Sequence, residues 1–586
     1  NTASSNTAVG AFSLNSNTTG ADNTAVGKSA LCSNTTGCQN TAVGLTSMFT
    51  NTTGCQNVAM GRQSLYDNTT GKCNVALGYN SLHNNETADN NTAVGTHAMF
   101  ANTTGYQNTA VGSCALDSNT TGETNTAVGH ASLCDNTTGS NNTGIGKNAL
   151  LSNTTASCNV AVGRDALKLT TTGCRNVAVG AGSLKTNTEG DQNVAVGREA
   201  LGVATTGDGN TAVGFDSLQA NTTASFNTAV GRNSSFSNTT GCRNVSVGLN
   251  AAYTNTTGDC NIAIGTNALY SNTTADFNVA MGAEALCTNT TGSANTAIGY
   301  ISLDANTTGI QNVAIGSNSL TANTTASDNV AVGTASLLVN TTGCQSVAVG
   351  KDALRCNTTG IRNVAVGFCS LFNVAGAGNE NTALGYSSGC TLTTGDENVL
   401  LGYRAGHNIT TGSCNIMIGP SACIDSGGTH TSISMGYAVV SINDAVTFGS
   451  GSTDSRIAFG ATSITAPSDQ RLKEDIQDDT AGLSFINDLR PVTFKWRKEK
   501  DIPEEMRTHV AGSEKRYKND KVNHGFIAQE VKQAIDNHPE LKDGFDMWAE
   551  EDTLDGRQRI AEGALIPMLV KSIQELTARI EALENE

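Results

Sequence analysis

An Asn-Thr/Val-Ala-Val-Gly motif recurs at Asn6, Asn23, Asn40 and onward every 17 residues to Asn363, with Ser346 as the one substitution, so the apolar and polar positions repeat without a slip over 21 intervals. After one 18-residue step the motif resumes at Asn381, Asn398 and Asn415, which makes 25 copies. The unit reads Asn-Thr/Val-Ala-Val-Gly-x-x-Ser/Ala-Leu-x-x-Asn-Thr-Thr-Gly-x-x. Seventeen residues cannot hold two helices and two turns, and Asn, Thr and Gly oppose helix. The pattern therefore predicts a mainly β chain in which each repeat is one coil of a β-solenoid. Alternation within the strand is expected to place Thr7 and Val9 on the core side with Leu14, and Ala8 on the outer face. Gly10 and Gly20 fall where the coil must turn. The Asn columns read as side-chain ladders between coils about 4.8 Å apart, and 25 coils would stack to about 120 Å.

A coil this short buries little, and an outer Ala column would pack closely against another chain, so a parallel homotrimer is expected. The Asn-x-Ala-Val/Ile-Gly pattern resembles the head repeats of trimeric autotransporter adhesins and the repeats of phage and bacterial tail fibres. That resemblance covers residues 1–424. From Asp425 to Pro467 the period is lost, yet Ser434-Met435-Gly436, Thr447-Phe448-Gly449 and Ala458-Phe459-Gly460 keep a strand-then-glycine rhythm, which reads as a β stalk or transition over 425–467.

Charge divides the chain again. Residues 468–586 hold 44 of the 85 charged residues and both tryptophans, Trp496 and Trp548, which marks a second domain. With 34 Lys plus Arg against 51 Asp plus Glu, the net charge of -17 argues against nucleic acid or an anionic membrane as a partner. No apolar run is long enough to span a bilayer. The chain opens at Asn1 inside a repeat and without Met, and any signal or anchoring segment is expected to lie outside it, at an end the residues do not name.

All 17 cysteines fall between Cys32 and Cys423. Cys38 with Cys55, Cys55 with Cys73, Cys158 with Cys174, and Cys242 with Cys260 occupy the same or adjacent columns of neighbouring coils. Stacking brings such Cα atoms to about 5 Å, within disulfide reach. They read either as staples formed in an oxidising compartment or as thiols acting as small apolar side chains. His is scarce and no CxxC pair occurs, so neither a metal site nor a cofactor is expected. Asn-Thr-Thr occurs 17 times, beginning with Asn17, Asn34 and Asn51. Each is formally an N-glycosylation acceptor, and duplication of one unit also accounts for the set. The aligned threonines offer a further reading, a flat face that binds ice or sugar.

The second domain carries four ordered motifs. They are Pro467-Ser468-Asp469-Gln470-Arg471-Leu472-Lys473-Glu474, Leu489-Arg490-Pro491-Val492-Thr493-Phe494, His524-Gly525-Phe526-Ile527-Ala528-Gln529-Glu530 and Leu565-Ile566-Pro567. Together they resemble the endosialidase-type intramolecular chaperone, the self-cleaving domain at the C-terminus of many phage tail spikes and fibres. Ala561, Glu562 and Gly563 stand where that family often has an aromatic residue before the Leu-Ile-Pro segment. The resemblance implies a small α+β unit that nucleates folding of a trimeric fibre and then cuts between Pro467 and Ser468. Carried over, Ser468 is the nucleophile and Lys473 its base, with Asp469, Arg471, Leu472, Gly525, Phe526, Ala528, Gln529 and Glu530 as the family's motif positions. A lysine serves as base only if its surroundings leave it neutral.

At the end of the chain, Ile566, Leu569, Ile573, Leu576, Ile580 and Leu583 alternate steps of three and four, a heptad seam. It reads as a coiled coil or as a helix packed on its own domain.

The reading as a whole is a homotrimeric extracellular, cell-surface or virion fibre or adhesin, self-cleaved once before Ser468, with no activity on external substrates. Its external partner, a surface receptor or glycan, is not named by the residues. The alternatives are a secreted glycosylated filament of a eukaryote and a polysaccharide-binding or polysaccharide-degrading spike. No off-register insertion brings a carboxylate pair to glycosidase spacing.

Overall fold

The computed structural model describes residues 3–451, 453–461, 464–465, 470, 473–506, 508–541, 545–550 and 558–585. The chain divides into two compact units, Asn1–Pro467 and Ser468–Glu586.

In the first unit each repeat contributes one three-residue strand, from β1 (Thr7–Val9) to β25 (Ile416–Ile418). Consecutive strands pair in parallel with identical positions opposed, as Thr7 with Thr24 and Val194 with Thr211. The chain is thus a β-solenoid of about 26 turns. The stacking runs on past residue 424. After β26 (Cys423–Ile424), β27 (Ile433–Tyr437) pairs with β25; after β28 (Val440–Ser441), β29 (Ala445–Ser450) pairs with β27. An antiparallel partner, β30 (Thr453–Ala458), then closes on β29.

The facing of the strands is the reverse of the alternation expected from Leu14. Ala25, Ala42 and Ala195 are fully buried, whereas Val9 is 56 % and Val196 37 % exposed. The cause is room. Most coils also turn inward a Leu, a Ser or Ala in the eighth position and two asparagines, and there only a small side chain fits the remaining gap; Leu400 and Met417 fill it at the end of the stack, where Gly389 and Gly406 replace that leucine.

The fifth position is Gly in every copy, at φ near +130° to +145°, a region closed to other residues. At Gly197 an added Cβ would lie 2.2 Å from the Gly214 carbonyl oxygen. The leucines are left-handed too, Leu184 at φ 47° and Leu201 at φ 50°. That strain persists because the side chain is fully buried and the N–H is used, Leu201 donating to the Ser217 carbonyl at 3.0 Å.

Both Asn columns are interior ladders. Asn51 Nδ2 donates to Asn34 Oδ1 at 2.7 Å and to the Gly54 carbonyl at 3.0 Å. In the opening column, the Asn40 N–H donates to Asn23 Oδ1 at 3.0 Å. Where the twelfth position is not Asn, the ladder breaks. Thr170, Ala204 and Val374 follow Asn153, Asn187 and Asn357, and the side-chain oxygens of those three asparagines are buried without a hydrogen bond from any described residue.

The second unit contains α1 (Leu483–Asp488), β31 (Val492–Phe494), β32 (Asn523–Gly525), α2 (Ala528–Asn537), β33 (Trp548–Glu550), β34 (Gln558–Ile560) and α3 (Ile566–Glu584). β31 pairs with β32, and β33 with β34, both antiparallel. Phe485, Val531, Ala534, Ile535, Met547, Leu565 and Met568 form its core.

Candidate functional site

The six-residue α1 is too short to stand alone. It is held by Phe485, fully buried and edge-on to Phe545 at 5.6 Å, and by α3, where Glu575 Oε2 accepts the Leu483 N–H at 3.0 Å. That carboxylate serves a donor at the start of α1 that has no intrahelical partner. α3 therefore packs on its own unit through Met568 and Ser572, both buried. Its other face is open. Ile566, Leu569, Ile573, Leu576, Ile580 and Leu583 are 44–71 % exposed along the whole helix. The exposed row therefore lies beside, and not on, the face by which the helix packs on its own unit.

The motif segments converge on a two-stranded edge. The Arg490 guanidinium, just before β31, grips both carboxylate oxygens of Glu530 on α2, with Nε 3.0 Å from Oε2. The hydrogen bond from Arg490 holds the Glu530 carboxyl below its ordinary range. Pro491, Val492, Thr493, His524, Gly525, Phe526 and Glu562 line a cleft of about 480 Å³ beside it. Gly525 permits this approach, since a Cβ there would stand 3.3 Å from Glu562 Oε1. Ala528 and Gln529 open α2 behind the cleft.

His538, at the end of α2, is nearly buried between Asp488 Oδ2 at 2.9 Å and Glu540 Oε1 at 3.1 Å, with Phe485 edge-on. Burial pulls its pKa down, but the hydrogen bonds to the two carboxylates outweigh that and leave it raised. Its spacing from Asp488 along the chain carries no motif, so this clamp was not visible in the sequence. Nor was Glu575, which reads in sequence as one more solvated helix charge.

Of the residues assigned to self-cleavage, Pro467, Ser468, Asp469, Arg471 and Leu472 lie outside the described residues. Lys473 is exposed, and its N–H donates to the Gln470 carbonyl at 3.1 Å. Gly525, Phe526, Ala528, Gln529 and Glu530 do come together, at the cleft and the first turn of α2.

In the solenoid, the 17 cysteines are free thiols. Cys38 and Cys55 stand in one column with their sulfurs 3.0 Å apart, and Cys55 Sγ accepts the Cys38 N–H at 3.1 Å. Cys158 and Cys174, like Cys242 and Cys260, stand in neighbouring columns instead. Cys174 and Cys242 turn their sulfurs to the N–H groups of Ser157 and Ser225, each at 3.4 Å. Asp does the same work elsewhere in that column, Asp191 Oδ1 accepting the Cys174 N–H at 2.6 Å. These thiols cap turn amides. Burial, with Asp135 and Asp117 adding to it, pushes the Cys134 thiol up to about 12, far from a reactive thiolate.

The formal glycosylation acceptors are corrected by burial. Asn17 is 8 % exposed, Asn34 and Asn51 not at all, and their amides are rungs of the ladder. A glycan on that nitrogen is incompatible with the folded coil. Among the described residues no group of His, Cys, Asp and Glu is placed to hold a metal ion, and no helix is long and apolar enough to cross a membrane.

A family model described as the chaperone of endosialidase matches residues 468–539. That stretch holds α1, the Arg490–Glu530 pair, the strand edge and α2. No curated protein and no solved structure matches the chain.

Proposed function

We propose that this chain is one subunit of a homotrimeric tail-spike or tail-fibre protein, displayed on a virion or cell surface, whose C-terminal unit drives association and folding of the shaft and then cuts itself away before Ser468. The observation that carries the reading is α3. One face is committed to its own unit through Met568, Ser572 and Glu575, while the adjoining face presents an unbroken heptad row to solvent. Apolar rows of that period bury themselves against copies of the same helix. The family match and the preceding solenoid support the fibre context.

In this reading the Ser468 hydroxyl oxygen adds to the Pro467 carbonyl carbon while neutral Lys473 takes its proton. The C–N bond then breaks, the Ser468 nitrogen takes the proton back, and water resolves the ester into a Pro467 carboxylate and a free serine hydroxyl. Lys473 is exposed in the single chain, and its burial on assembly would time the cut to follow folding. The buried sequon asparagines disfavour a glycosylated filament.

Sedimentation equilibrium tests the assembly. The wild type is expected to sediment as a trimer, and Ile573→Lys with Leu576→Lys to give a lower yield of folded trimer, although neither residue belongs to the core of the unit. A wild-type chain that is folded and monomeric would overturn the reading.

A further inference from the structure

The strand face of the solenoid is bare of charge. Its outward second and fourth positions hold only Thr, Val, Ile, Leu or Met in every coil from Thr7 to Met435, though the chain carries a net charge of -17. The fourth-position side chains are half-exposed, Val196 and Val230 each by 37 %. By contrast, the two columns that border this face are charged with opposite sign. After the Gly turn, the sixth position carries Lys147, Arg198 and Arg232 and no carboxylate in any coil. Before the opening Asn, the sixteenth position carries Glu123, Asp191 and Asp208 within one coil of those levels, and a single base, Lys72, far from them.

We infer that this face is where copies of the chain meet along the shaft, parallel and in register, the sixth-position edge of one copy against the sixteenth-position edge of the next. The inference rests on the oligomer proposed above and assigns it a surface. Two negatively charged bodies repel, so a contact running the length of the shaft must use a strip nearly free of charge; the threonine columns, interrupted only by Glu86 and Glu189 among charged residues, are another such strip, and the strand face is the apolar one. The edges then fix direction. Turned to face each other in parallel, two copies bring basic edge to acidic edge; antiparallel, they bring like to like. A partner must also present an apolar side chain at every strand spacing for some 26 coils, and a second copy of this chain does so.

The test places the photocrosslinker benzoylphenylalanine in the full-length chain at Val196, at Val230, or at Thr206 in the exposed fourteenth-position column, with sedimentation run on the same samples. Interchain products from Val196 and Val230, and none from Thr206, are expected of a trimer. A trimer that gives no interchain product at Val196 and Val230 overturns the assigned face while leaving the oligomer intact. A monomer overturns the oligomer itself. The edges are tested by charge reversal: Lys147→Glu should lower the yield of trimer, and Glu123→Lys added to it should restore the yield. Failure of the second change to rescue the first overturns the edge pairing.

Discussion

The side-chain oxygen of Asn187 is buried one coil before Ala204 and accepts no hydrogen bond from any described residue, because Ala204 stands where the ladder elsewhere supplies an amide. Ala204→Asn gives that oxygen its donor and offers its own oxygen to Asn221, whose Nδ2 now reaches only the Ala224 carbonyl at 3.2 Å. Completing the rung should stabilise the neighbouring coils by about 1 kcal/mol. In a stack where each coil touches only its neighbours, the gain is local. Hydrogen exchange across residues 187–221 should slow in the variant and stay unchanged in distant coils. Unchanged protection at 187–221 would show that the orphaned oxygen costs nothing.

His538 makes the C-terminal unit sensitive to pH. Its folded pKa is raised by Asp488 and Glu540 against the opposing pull of burial. The stability contributed by its cation is fully present below the unfolded value of about 6.5 and is lost as pH rises through the higher folded value. Both tryptophans lie in this unit, so their fluorescence reports its unfolding. The urea midpoint should fall between pH 6 and pH 8 in the wild type, and His538→Gln should flatten the difference. Equal slopes in the two proteins would remove His538 as the cause.

Cys38 and Cys55 are the pair placed to form a staple. The hydrogen bond with Cys55, then burial, raises the Cys38 thiol, so its thiolate is scarce at neutral pH. Oxidation should therefore be slow at pH 7 and faster at pH 9, and peptide mapping should recover Cys38 joined to Cys55. Recovery of Cys158 joined to Cys174 at the same rate would contradict the distinction between one column and two.

The period of the shaft was legible because 25 copies repeat one register, and a solenoid is what a 17-residue unit of that composition can build. The direction of the strand faces was not. Alternation separates Ala8 from Thr7 and Val9 but does not say which side holds water, and hydrophobicity favoured Val. Packing decided otherwise, since two asparagines and a leucine already occupy the interior of most coils. The sequons misled for the same reason, their asparagines being core residues. In the C-terminal unit, the motifs led to the cleft and to the Arg490–Glu530 pair, whereas His538 and Glu575 act through partners distant in sequence, Asp488 and Leu483, which no local pattern links.

The most direct measurement is the intact mass, under denaturing conditions, of freshly prepared wild-type chain beside Ser468→Ala, each first confirmed as a trimer. The account predicts that the wild type separates into residues 1–467 and 468–586 without added protease, and that Ser468→Ala remains one chain of 586 residues. Lys473→Ala should also remain whole. Full-length masses from both the wild-type and the Ser468→Ala trimers would contradict self-cleavage.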